Sequence, residues 1–116
     1  GIIIYSEYIK AALEKKSLSG RLTGKFTMIT KTDERQNQFL EINVELKKDI
    51  KGNFSLVRTI EKESTKSLIA RSTEYNYLFG VGNKKEKEKL RPRIVLWPAE
   101  HPVYFQPGTK QKWVKK

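Results

Sequence analysis

The stretch Phe39-Leu40-Glu41-Ile42-Asn43-Val44-Glu45-Leu46-Lys47, with its sequel Asp49-Ile50-Lys51-Gly52-Asn53-Phe54-Ser55-Leu56-Val57-Arg58-Thr59-Ile60, decides how the chain folds. Leu40, Ile42, Val44 and Leu46 alternate with Phe39, Glu41, Asn43 and Glu45, the period-two pattern of a strand that buries one face. Turn residues follow at 49–53, after which Phe54, Leu56 and Ile60 resume the parity of that apolar face. Upstream, Leu22, Gly24, Phe26 and Met28 alternate with Arg21, Thr23, Lys25 and Thr27. Asp33-Glu34-Arg35-Gln36-Asn37 reads as the loop between these strands, and one register consistent with it sets Lys25 against Glu45 and Thr27 against Asn43. Three strands in a meander are the expectation.

Before the meander, Tyr5, Tyr8, Ile9, Ala12 and Leu13 recur at helical spacing behind Ser6, a candidate N-cap, which predicts a helix over about 7–17. Lys15 and Lys16 suit the negative end of its dipole, and Ser19-Gly20 ends it. After the meander, Glu63-Ser64-Thr65-Lys66 reads as a helix start, with Leu68-Ile69-Ala70 completing two turns. Tyr75, Tyr77, Phe79 and Val81 alternate as a strand would. Arg91-Pro92-Arg93-Ile94-Val95-Leu96-Trp97-Pro98 reads as an edge strand bracketed by prolines, and Val103-Tyr104-Phe105 as a short last strand before Pro107-Gly108. The expected class is α+β: an N-terminal helix plus a mainly antiparallel sheet of five to six strands. Its inner βββαββ order is OB-like, an architecture whose loops, here 31–38 and 82–91, bind oligonucleotides.

With 116 residues, 37% of them apolar, the chain suits a single domain spanning 1–116, with a basic loop at 82–93 and a basic tail at 109–116. The absence of cysteine removes disulfides, thiolate metal ligands and thiol nucleophiles. Charge is uneven. Residues 83–116 hold 10 Lys/Arg against 3 Asp/Glu, whereas residues 1–82 hold 14 against 10. Cations interleaved with aromatic rings suit a polyanion whose phosphates are neutralised and whose bases stack.

On this pattern Lys84, Lys85, Lys87, Lys89, Arg91 and Arg93 are expected to clamp phosphates, with Lys110, Lys112, Lys115 and Lys116 extending the path. Trp113, Tyr75, Tyr77 and Tyr104 are the candidate stacking rings, although the alternation of Tyr75, Tyr77 and Phe79 reads first as ordinary core. Lys/Glu alternation at 84–89 has a plainer account as a solvated segment with local pairing. Phe79-Gly80-Val81-Gly82-Asn83 holds a Gly-x-Gly, which lacks the further residues of a nucleotide loop and reads better as a strand end needing glycine. His101 is the sole histidine and Glu100-His101-Pro102 makes no triad, while Glu41 and Glu45 are explained by basic cross-strand neighbours. No enzymatic activity, metal, cofactor or small-molecule substrate is expected.

The first functional reading is a non-enzymatic module for single-stranded DNA or RNA, with an intracellular location favoured. The second starts from Gly1-Ile2-Ile3-Ile4-Tyr5, which reads first as a buried strand or helix staple and otherwise as the edge of a removed membrane segment. It makes the chain a structural or assembly domain of a membrane-associated complex, tethered by a segment lost before Ile2, whose basic surface meets an anionic membrane surface or an acidic protein.

Overall fold

The computed structural model describes residues 4–105. The described chain runs as helices α1 (Ser6–Leu13) and α2 (Lys16–Ser19), strands β1 (Leu22–Thr32) and β2 (Gln38–Leu46), helices α3 (Phe54–Arg71), α4 (Thr73–Val81) and α5 (Lys84–Leu90), and strand β3 (Arg93–Trp97). Among the described residues the sheet has three strands in the order β1-β2-β3, with β1 antiparallel and β3 parallel to β2. The class is α+β, but the five- to six-stranded antiparallel sheet and the OB-like barrel are overturned.

Residues 54–60, expected as the third meander strand, open an 18-residue helix. Leu56, Ile60, Ser64 and Leu68 are all buried and recur every fourth position, a spacing that satisfies a strand's parity and a helix's face alike. Arg58 and Lys62 decide between the two. On a strand they would share the buried face with Leu56 and Ile60; on a helix they turn to solvent, where both are found. Asn53 caps α3 by accepting the Leu56 N–H at 2.8 Å. The helix thus starts well before Glu63, the expected start.

Residues 75–81, also expected as strand, belong to α4. Tyr75 and Phe79 lie one turn apart with rings stacked at 6.0 Å, while Tyr77, two positions on, is 67% exposed. Ser72 ends α3 and starts α4, its hydroxyl accepting the Tyr75 N–H at 3.1 Å. The expected basic loop is largely α5, opened by a capping box between Asn83 and Glu86. Gly82 ends α4; a side chain there would put its first carbon 3.1 Å from the Leu78 carbonyl oxygen. Residues 103–105 form part of a turn instead of a strand. At the N-terminus, α1 is capped from Tyr5, with Ser6 already inside it.

The β1–β2 hairpin places Thr27 against Asn43 as expected. Lys25 does not face Glu45, because Thr23, Gly24 and Lys25 all lie between the Leu22–Leu46 and Phe26–Val44 pairs. Gly24 supports this bulge with φ +95. Because β3 lies parallel to β2, the chain must return to its starting end, and α3 to α5 make that return. Among the described residues β3 is an edge strand, as the flanking prolines imply.

Ile9 and Leu13 of α1 and Leu56, Ile60 and Leu68 of α3 form one buried cluster with Phe26, Met28, Ile42 and Val44 of the sheet. The two helices therefore cover the even-numbered face of β2. Ser67 locks them together, its hydroxyl donating to the Tyr8 carbonyl at 2.5 Å.

Candidate functional site

The start and end of α5 and the start of β3 scatter the run Lys84–Arg93. Lys84, Lys87 and Arg91 form one stripe of α5 and its end, and with Glu61 and Glu88 they line a groove. Glu61 and Arg91 also line an adjoining concavity of about 610 Å³ whose other walls are Phe54, Ser55, Arg58, Thr59 and Lys62. The groove thus runs along the solvent side of α3. Lys85 and Lys89 lie outside it, exposed on the next stripe of α5. Arg93 leaves altogether for the odd-numbered face of the sheet, where its guanidinium lies 3.8 Å from the centre of the Phe39 ring.

Phe79 organises the cations at the α5 end, with Lys87 at 5.6 Å and Arg91 at 5.7 Å from its ring centre. Arg91 also pairs with Glu61 at 3.7 Å, an ion pair longer than a hydrogen bond. At the other end Arg58 lies 5.7 Å from the centre of Phe54, whose side chain is 73% exposed. Arg58, Lys62 and Phe54 escaped the sequence reading, although the charges at 58 and 62 were the available signal.

Tyr75 is buried, and its hydroxyl donates to the Leu90 carbonyl at 2.7 Å, which fixes where Arg91 begins. Burial pushes its phenol up to about 12, partly opposed by the nearby Arg91 charge. A ring so placed is closed to a stacking base. Tyr77 is exposed on α4, and Tyr104 is stacked on Trp97 at 4.4 Å. Lys110, Lys112, Trp113, Lys115 and Lys116 lie outside the described residues.

The odd-numbered face of β2 carries a second constellation. Glu41 receives Lys31 at 3.0 Å and the Asn43 amide at 3.3 Å, and the Trp97 indole donates to Asn43 at 2.6 Å. Glu45, also buried, accepts the Thr23 hydroxyl at 2.6 Å and the Glu100 N–H at 2.8 Å. Glu100 has φ 61, and the turn closes with Phe105 donating to the His101 carbonyl at 2.8 Å. His101 packs 4.5 Å from Trp97, and its Nδ1 accepts the Val103 N–H. These contacts strap residues 97–105 onto the sheet, while Thr27, paired with Asn43 across the strands, keeps a buried hydroxyl without a hydrogen-bond partner.

A third concavity, at the end of β2 and β3, is lined mainly by Leu46, Ile50, Val57, Ile94, Leu96 and Pro98 and carries no nucleophile or acid–base pair. Among the described residues no three His, Asp or Glu side chains form a metal-binding group, and no helix is long and apolar enough to cross a membrane.

No family model matches the chain, and no curated protein does. Among solved structures it is similar to a domain of phenylacetate-coenzyme A ligase from Bacteroides vulgatus, with 16% identity over 96% of this chain and 83% of that one, and a TM-score of 0.52. At that identity the likeness is one of fold. The OB-like sheet expected from the sequence gives way to an α+β fold shared with that domain.

Proposed function

We propose that this chain is an accessory domain of a coenzyme A ligase, a layered module that presents cations to the phosphorylated substrates of a larger catalytic unit. The observation that carries the reading is the likeness to a phenylacetate-coenzyme A ligase domain over nearly the whole chain. The chemistry agrees with it. A net charge of +11 called for a polyanionic partner, and coenzyme A and ATP are polyanions that need neither an OB barrel nor an extended strand-binding path. An accessory role also suits a chain whose buried polar group around Asn43, Glu45 and Trp97 is engaged in holding the 97–105 turn, since a partner unit then supplies the reacting groups.

The test is thioester formation by the gene product that carries residues 1–116, assayed with phenylacetate and other carboxylic acids, ATP and coenzyme A. Removing these residues is expected to lower the rate at least a hundredfold. Full activity without them, or no ATP-dependent thioester formation with them, overturns the proposal.

A further inference from the structure

The groove between α3 and α5 has features that fold stability does not require. Arg58, Lys62, Lys87 and Arg91 converge on it from two helices, joined by Lys84, and only Glu61 and Glu88 oppose them along its walls. Like charges held together repel, and surface pairs such as the 3.7 Å contact of Arg91 with Glu61 return little. An anion entering the groove converts that repulsion into charge-assisted hydrogen bonds, for which guanidinium forks are the best donors.

Phe54 adds a second kind of recognition. Its large apolar side chain is 73% exposed, and it lies at the groove's end one helical turn from Arg58. A flat ring beside a guanidinium suits a planar base whose phosphates extend along the cations. Tyr75 holds the α5 end in place through Leu90, so Arg91 is delivered by a buried contact instead of a mobile loop.

We infer that the α3–α5 groove binds a phosphorylated nucleotide, with Arg58, Lys62, Lys87 and Arg91 on its phosphates and Phe54 against its base. The accessory-domain reading supplies only the choice of nucleotide: adenosine 3′,5′-bisphosphate, the phosphate-bearing end of coenzyme A, is the probe.

The chain is titrated with this probe, with adenosine and with inorganic pyrophosphate, following amide resonances and heats of binding. Adenosine 3′,5′-bisphosphate is expected to shift resonances at 54–62 and 84–91 and to bind at least tenfold tighter than either fragment. The exposed pair Lys62→Ala with Arg58→Ala should lower its affinity at least tenfold, since even one lost charge-assisted contact is worth about a factor of ten. Phe54→Ala should lower it about fivefold. Lys15→Ala with Lys16→Ala, which removes equal charge elsewhere, should change it less than twofold.

Binding that ignores the Arg58 and Lys62 changes, or shifts that map elsewhere, overturns the groove. Pyrophosphate binding as tightly as the bisphosphate overturns the base contact at Phe54. A single-stranded oligonucleotide binding the same residues a hundredfold tighter replaces the nucleotide with a polymer and overturns the inference. Loss of the groove with thioester formation intact leaves the accessory-domain reading standing; nucleotide binding in the groove without thioester formation does the reverse.

Discussion

The two faces of β2 are built from alternate residues of one strand and held by different physics. Ile42, Val44 and Leu46 face α1 and α3 and are buried among apolar side chains. Asn43 and Glu45, between them, are buried just as deeply but among polar groups supplied by Thr23, Trp97 and Glu100. Apolar burial is non-directional and rewards area, so the first face supplies stability and tolerates changes of shape. Hydrogen bonds reward geometry and punish a missing partner, so the second face sets where the 97–105 turn lies. The contrast assigns stability to one side and placement to the other.

Introducing a charge on the apolar face should produce the largest effect. Val44→Asp puts an unpaired carboxylate against Phe26, costs several kcal/mol, and should leave no cooperative transition in a circular dichroism melt. Ile42→Ala should retain the fold and lose about 2–5 kcal/mol in urea titrations. If Glu41→Ala is as damaging as Val44→Asp, the division between faces fails.

A smaller effect is expected on the polar face. Asn43→Ala leaves the Trp97 indole without its acceptor and should cost about 1–3 kcal/mol. Its distinguishing signature is local: Trp97 emission should shift red and amides of 97–105 exchange faster, while α1 and α3 stay protected. Uniform loss of protection instead would make this face a second stabilising core.

The helical side contains its own polar exception in Tyr75, which sharpens the comparison through pH. Its phenol is raised from 10.0 to about 12 by burial. The folded state therefore holds that proton where the unfolded state releases it, so stability present below pH 10 is lost as pH rises towards 12. Tyr75→Phe should flatten this alkaline decline, read from melts between pH 9 and 12. A decline equally steep in the variant would place its cause elsewhere.

The smallest effect belongs to the hairpin loop. The Asn37 N–H, with help from Arg35, holds the Asp33 carboxyl below its ordinary value of 3.8. Its contribution is complete above that value and is lost as pH falls through the folded pKa. A carboxyl resonance followed by NMR should titrate below an unstructured aspartate, and Asp33→Asn should slightly soften the acid limb of the stability curve. An Asp33 midpoint at or above the unstructured value would contradict the loop geometry.

What the sequence made legible follows the same physics. The β1–β2 hairpin was readable because Leu40 to Leu46 alternate without exception, and β3 because Pro92 and Pro98 bound it. Helix α3 was not, because Leu56 and Ile60 are four apart and fit both periods; only Arg58 between them separates strand from helix. Helix α4 concealed itself in the alternation of Tyr75, Tyr77 and Phe79, which a helix distributes to different sides. For the candidate site, residue type was legible and placement was not. The run of cations at 84–93 announced an anion, yet the turn of α5 and the return to β3 parted Lys87 and Arg91 from Lys85, Lys89 and Arg93. The partners on α3 became visible only once that segment was a helix.

The parallel pairing of β3 with β2 also orders events during synthesis. Glu41 emerges from the ribosome long before Arg93, its partner, with all of α3, α4 and α5 between them. Until then the hairpin exposes one unpaired edge of β2, together with Asn43 and Glu45 awaiting Trp97 and Glu100. An exposed edge is a template for another chain, and distant pairings form late. Nascent chains stalled before residue 93 therefore carry an open β2 edge that pairing with β3 closes.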